Sequence, residues 1–324
     1  MMSGYSFVYH RSFSIKLPFS LSVSRSRQRP MVMMDICTIG LLKERVAILC
    51  GKDNRKKERF TQVAHMAGSG KYQFSFLAAI IEKCTDFRNQ LSADELVKVF
   101  QDDYELIKDS IGKDNLVETP EALAAVIPTL VDTRYCLDER AELSIPASLA
   151  LLSYFNTLRI VSTPSKTDRF KLAQKVASEG ERLGLAKGYP TITVCVASIY
   201  GSIDARNILK VREDGKEKNG SEFNPSNRLG DIMSFYRLAN ARHRINSVLP
   251  LVQVIFRTED AALENMHQYL HTHVTSMSEE NGTLLCTTCS APDRLFPAIY
   301  KQGMCTDKIE LKRLYELLSF KIDT

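Results

Sequence analysis

The chain has 324 residues, of which 44% are hydrophobic and 25% charged, the make-up of a globular protein that can form one large domain or two ordinary ones. No stretch reaches the ~18 to 20 uninterrupted apolar residues that a membrane-spanning helix needs, so no membrane partner is expected and the cytoplasm is the expected compartment. The net charge of +5 arises from Arg11, Lys16, Arg25, Arg27 and Arg29, without which 38 basic residues face 38 acidic ones; a neutral body excludes a global field for nucleic acid and leaves only local patches.

Residues 1–30 are Ser- and Arg-rich and free of acids, which marks a leader: disordered, read through from an upstream start, or a targeting segment. An extra strand from "SIKLPFSLSV" is the remaining expectation there. "PMVMMDICTIGLL" begins as a strand and turns into a helix. "KERVAILCGKDNRKKERFTQVAHM" reads as helical segments with a basic interruption. "GSGKYQ" is a loop, with Tyr72 where a phosphate-cradling loop needs Ser or Thr. "FSFLAAIIEKC" is apolar and closes on Glu82. Ser92 with Glu95 three residues later caps a helix over 92–111, and Thr119-Pro120 opens another to about Leu130. A buried helix over 144–161 and a solvated one over 167–185 follow. "YPTITVCVASIYG" has β-branched residues but a helix-like start at Pro190 and stop at Gly201, and is read as helix. A polar loop (212–227) leads to a helix over 228–245, a strand within "LPLVQVIFR", a helix over 261–274 and a last helix over 307–320. Single strands between many helices predict an α/β fold with a small parallel sheet. Cys37, Cys50, Cys84, Cys136 and Cys195 sit in apolar runs, as buried reduced thiols do.

Four acids stand at element ends. Asp35 closes the first strand, Glu82 lies on an inner helix, Asp231 is in the first turn of the 228–245 helix, and Asp260 follows the "VIF" strand. Parallel strands gather their C-terminal ends on one edge, where sites form. Acids converging there repel one another unless they bind hard, oxygen-preferring cations such as Mg²⁺ or Mn²⁺. Taken singly, each also fits a plainer role: Asp231 as a helix N-terminal acid, Asp260 as an N-cap, Asp35 as a turn residue, Glu82 as a solvated helix end.

The ordered set "MVMMDICTIGLL", "FSFLAAIIEK", "NRLGDIMSFYRLANA" and "VIFRTEDAAL" resembles the PIN-like nuclease domain. That family's pattern is a strand ending in Asp, a Glu on an inner helix, a helical Asp and a strand ending in Thr-x-Asp. The chain departs from it in having Cys37 where Asn is more usual, and in the long gap between Glu82 and Asp231. The resemblance implies a three-layer α/β/α fold with a small central parallel sheet. It divides the chain into the leader (1–30), a PIN-like domain (31–275) with a helical insert around 85–187, and a C-terminal extension (276–324). It implies metal-dependent hydrolysis of RNA, single-stranded more than double-stranded, in a toxin or phage-defence setting. Asp35, Glu82, Asp231 and Asp260 are then the catalytic and metal-binding acids, and Mg²⁺ or Mn²⁺ the cofactor. Thr258 steadies a ligand carboxylate. Arg206 and Lys210, with the basic run at 52–57, are the candidates for contacts to RNA phosphates. An antitoxin or other protein partner and a homodimer belong to the same expectation.

Cys286 and Cys289 form a C-x-x-C that follows His267, His271 and His273. His267 and His271 lie one helical turn apart on the expected 261–274 helix, so the group has the elements of a zinc site, although a second C-x-x-C is absent. Reduced thiols beneath a loop are the plainer expectation. Two other readings compete with the nuclease. One is a catalytically weak PIN-like scaffold; the other is a helical protein-interaction module in which the acids are caps.

Overall fold

A computed structural model gives the fold and describes residues 5–10, 29–84, 86, 90–141, 144–278 and 282–321. The strands in chain order are β1 (Tyr5–His10), β2 (Met31–Met34), β3 (Gln73–Ser75), β4 (Val254–Arg257), β5 (Leu270–Ser278), β6 (Gly282–Cys289), β7 (Tyr300–Lys301), β8 (Met304–Cys305) and β9 (Phe320–Lys321). The chain divides into two compact units. One comprises Ile15–Cys136 with Ala241–Ala261; the other comprises Met1–Ser14, Leu137–Asn240 and Ala262–Thr324. The first is thus interrupted in sequence by the second.

The first unit is built on a parallel sheet in the order β3-β2-β4. All four residues of β2 are buried, so "MVMM" shows no polar alternation, as expected of a central parallel strand covered on both faces. Val32 pairs with Phe74 on one side and Ile255 on the other. A parallel bridge between Phe74 and Leu116 extends the sheet beyond β3. The core joins Val32 and Met34 to Leu42, Phe60 and Val63, to Phe76 and Ile80, and to Phe100, Ile107 and Leu123. The helix Ala93–Ile111 starts with the capping box expected from sequence: the Ser92 hydroxyl accepts from the Glu95 amide, and the Glu95 carboxylate accepts from the Ser92 amide.

The second unit wraps its helices around Pro190–Ile199, whose ten residues are all buried. Pro190 at the first helical position presets the backbone, and burial overrides the weak helix preference of Thr191, Ile192, Thr193, Val194 and Val196. Gly180, on Lys166–Arg182, lets that helix approach closely: a Cβ there would lie 2.6 Å from Ile192 Cδ1. An antiparallel sheet in the order β5-β6-β1-β9 and the β7–β8 hairpin complete the unit. Helix Lys308–Leu317 is fastened by the buried Glu310, which binds Arg169 through two hydrogen bonds and accepts a third from the Tyr200 hydroxyl at 2.7 Å. Among the described residues, no helix is long and apolar enough to cross a membrane.

Three local expectations are corrected. Tyr5–His10, taken as leader, forms β1 and pairs along β6 from Tyr5–Thr288 to His10–Thr283; "YSFVYH" is rich in aromatic and β-branched residues that favour strands. The extra strand expected at 14–23 lies outside the described residues. The helix expected over 261–274 stops at Tyr269, and Leu270–Ser278 becomes β5, where a long antiparallel partner outweighs the helical spacing of the histidines. The helix expected from 228 begins instead at Pro225, which moves Asp231 out of the first turn.

Candidate functional site

In the parallel-sheet unit the chain enters the sheet at its centre. The strand β2 is central, β3 joins it on one side, and β4 joins it on the other only after a long excursion. The connections therefore part at the carboxyl ends of β2 and β4, the kind of switch point where open α/β sheets leave a crevice for ligands. Asp35 and Thr258 are the first residues beyond those two ends.

Asp35 is set there by both ladder and helix. Its amide donates to the Arg257 carbonyl at 3.2 Å. Its carboxylate accepts the Thr38 amide at 2.7 Å, capping the helix Ile36–Lys43. The side chain is only 7% exposed. Thr258, also buried, hydrogen-bonds the same carboxylate, while its hydroxyl oxygen accepts the Asp260 amide at 3.1 Å. Burial pushes the Asp35 carboxyl above the usual aspartate range; Thr258 and Thr38 pull it back in part, and the nearby Glu259 charge adds to the rise.

Glu259 is bridged by two arginines. Arg59, on Asn54–Gly68, donates from Nε at 2.6 Å, and Arg257 donates from Nε at 3.0 Å. Thus one carboxylate faces two guanidinium groups beside Asp35.

A second buried carboxylate stands just past β3. Glu118 accepts the Ser75 hydroxyl at 2.6 Å and the Phe76 amide at 3.0 Å, and it is 1% exposed. Burial pushes its carboxyl up against the pull of those two bonds. The sequence pass missed it. The only signal was an acid closing the apolar pair Leu116-Val117 before Thr119-Pro120, a pattern shared by many helix starts. Truncation to Ala leaves a buried hydroxyl and a buried amide unmatched, and is expected to cost about 2 to 4 kcal/mol. Because the folded-state proton affinity is raised, the contribution of Glu118 is fully present below the ordinary glutamate pKa and is lost as pH rises through the higher folded value. The loss on Glu118→Ala, measured by urea unfolding, is therefore larger at about pH 5 than at about pH 8; equal losses contradict this account.

The other expected acids are placed as follows. Glu82 is half-buried on Leu77–Cys84, and Asp260 is half-buried immediately before Ala261–Tyr269. Both belong, like Asp35, to the parallel-sheet unit. Asp231 belongs to the other unit, in the second turn of Pro225–Val248, where its carbonyl accepts the Ser234 hydroxyl at 2.6 Å. Among the described residues, no group of three or more His, Cys, Asp or Glu side chains is arranged to hold a metal ion. The all-oxygen donors of Asp35, Glu82, Asp260 and Thr258 suit Mg²⁺ or Mn²⁺ in kind. As they stand they do not fit in arrangement, because Asp35 is turned to Thr38 and Thr258 and its burial favours the protonated form.

Arg206 and Lys210 lie in the other unit. The Arg206 guanidinium donates to the Ser198 carbonyl at 3.1 Å and the Thr163 hydroxyl at 2.7 Å, binding its own unit together. Lys210 is exposed and ends the helix Ile203–Leu209 in a left-handed conformation, with φ of 51°. His271 is in β5 and not a helical turn from His267, so the helical spacing expected of a zinc-binding pair is not kept. His267 instead stacks on Phe235, with centroids 4.0 Å apart, and its Nε2 lies 2.9 Å from the Ser234 hydroxyl.

Comparison of the chain with protein-family models, with curated proteins and with solved structures finds no match to any of them.

Proposed function

We propose that the carboxyl edge of the parallel sheet is a site of phosphodiester hydrolysis acting on single-stranded RNA, with Asp35 at its centre. One observation carries this reading: a buried carboxyl group with raised proton affinity stands at the switch point of the sheet, aimed by a threonine from the neighbouring strand. A group that holds its proton more tightly than ordinary aspartate is better matched to proton transfer near neutral pH. Such perturbed groups gather at functional sites. In its ionised form Asp35 accepts a proton from the attacking water as the water oxygen bonds to phosphorus; the P–O bond to the leaving ribose oxygen breaks, that oxygen takes a proton from solvent, and Thr258 keeps the Asp35 carboxylate oriented.

The sequence resemblance implies Mg²⁺ or Mn²⁺ with Asp35, Glu82, Asp231 and Asp260 as its ligands. Since these side chains do not now form a cage, no step is routed through an ion, and Asp231 in the other unit is not drawn on. The toxin or defence setting and an antitoxin partner rest on the resemblance alone.

A second reading is a scaffold that binds RNA without cutting it. The absence of a three-donor metal group among the described residues favours it. A labelled single-stranded RNA incubated with the protein, in Mn²⁺ and in EDTA, separates the two. Cleavage supports the hydrolase, and its loss in EDTA adds the ion. Binding without cleavage in either condition supports the scaffold.

A further inference from the structure

Thr38 lies in the first turn of the helix Ile36–Lys43 and is fully buried. Its amide donates to the Asp35 carboxylate at 2.7 Å, and its hydroxyl donates to the Arg257 carbonyl at 3.0 Å, 219 residues away in sequence. Arg257 is the last residue of β4, and the same carbonyl accepts the Asp35 amide at 3.2 Å. Thr258, the next residue, hydrogen-bonds the Asp35 carboxylate. These bonds close a ring that runs from the Arg257 carbonyl through Thr38 to the Asp35 carboxylate, and through Thr258 back to β4. A helical threonine can satisfy its hydroxyl locally, on a carbonyl three or four residues before it. Thr38 instead turns its hydroxyl to the end of the neighbouring strand. A hydroxyl buried without a partner is unfavourable, so burial favours keeping this contact made. Thr38 thereby ties the helix that Asp35 caps to the strand that leads into Thr258. Having no exposed surface, it does not itself touch a substrate.

Resting on the hydrolase reading above, we propose that Thr38 is a positioning residue of the same site: its hydroxyl latches the helix Ile36–Lys43 to the end of β4 and so holds the Asp35 carboxylate in place against Thr258. Without the latch the first turn of the helix is free to shift along β4, and a displacement of about 1 Å at a reacting group lowers a rate by up to about 10²-fold. Valine in place of Thr38 keeps the branched shape and the amide that caps to Asp35, and removes the hydroxyl alone. The Arg257 carbonyl still accepts the Asp35 amide, so the change strands no acceptor and the fold is expected to survive it.

The test is single-turnover cleavage of a labelled single-stranded RNA by an excess of the full chain, in whichever of Mn²⁺ or EDTA supports cleavage by wild type, with folding of each variant checked by circular dichroism. The rate at saturation and the protein concentration at half-saturation are then read separately. Thr38→Val is expected to lower the saturating rate by about 10- to 100-fold and to leave half-saturation within about twofold of wild type, as for a change that acts on the chemical step and not on binding. Thr38→Ser keeps a hydroxyl donor and is expected to cut within about threefold of the wild-type rate. Thr38→Cys, a weak donor of similar size, is expected to fall between Ser and Val, and it carries the test should Thr38→Val fail to fold. In an Asp35→Asn background Thr38→Val is expected to lower the residual rate by less than about twofold, because the group it positions is gone. Wild-type rate in a folded Thr38→Val or in Thr38→Cys, a Thr38→Ser as slow as Thr38→Val, or a full further loss in Asp35→Asn overturns the latch while leaving the hydrolase reading standing. A wild-type protein that cuts no RNA in either condition overturns both.

Discussion

Glu310→Ala is expected to destabilise the antiparallel-sheet unit by about 3 to 5 kcal/mol, the usual effect of breaking one side of a buried ion pair. Arg169 and Glu310 are both 7% exposed. Arg169 places two nitrogens on the carboxylate, donates a third to the Ala298 carbonyl at 2.8 Å, and lies 5.4 Å from the Tyr200 ring centroid. Removing the carboxylate leaves a cation and a tyrosine hydroxyl buried without their acceptor. Replacing both partners, as in Arg169→Met with Glu310→Leu, is expected to cost much less than the sum of the single changes, because no charge is then stranded. The pH dependence has a definite sign. Burial pushes the Glu310 carboxyl up, but the hydrogen bonds from Arg169 and Tyr200 outweigh it and hold the group below the usual glutamate range. Its contribution is thus present above the ordinary glutamate pKa and is lost as pH falls through the lower folded value. Urea unfolding followed by circular dichroism from neutral to acid pH should show wild type losing stability on the acid limb and Glu310→Ala losing less. A loss under about 1 kcal/mol at neutral pH, or parallel acid limbs, contradicts this role.

Asp35→Asn is expected to reduce RNA cleavage by about 10²- to 10⁴-fold, the range for loss of a positioned proton acceptor. The fold should survive, because Asn caps a helix about as well as Asp and its oxygen can still accept the Thr38 amide. Stability should even move the other way at alkaline pH. The raised proton affinity of Asp35 means that its stabilising contribution is present below the ordinary aspartate pKa and is lost as pH rises through the folded value. A neutral Asn escapes that loss. Lower activity with equal or greater stability at about pH 8 is the signature of a residue kept for function. Undiminished cleavage, or a variant that fails to fold, contradicts the assignment.

Where local chemistry decided the outcome, the sequence was readable. Ser92 and Glu95 announced their capping box, Pro190 its helix start, and "MVMMD" a buried strand ending in an acid. Long-range pairing was less readable. Tyr5–His10 and Leu270–Ser278 owe their form to β6, a partner whose position no local pattern reveals. His267 and His271 kept a helical spacing across a point where the chain leaves the helix after Tyr269. Within the candidate site, Asp35 and Thr258 were legible because each ends a strand. Glu118 was not, because its burial depends on the Leu116–Phe74 bridge that seats it beside β3. The neutralising role of Arg59 was equally hidden, since 200 residues separate it from Glu259.

The most direct test of the site is its location on the chain. Single-stranded RNA carrying 4-thiouridine, bound to the Asp35→Asn protein and irradiated, should crosslink to peptides containing residues 35–38, 59–62 and 257–260. Crosslinks confined to the region of Arg206 and Lys210, or none from RNA that is bound, contradict the proposal that the carboxyl edge of the parallel sheet receives the RNA.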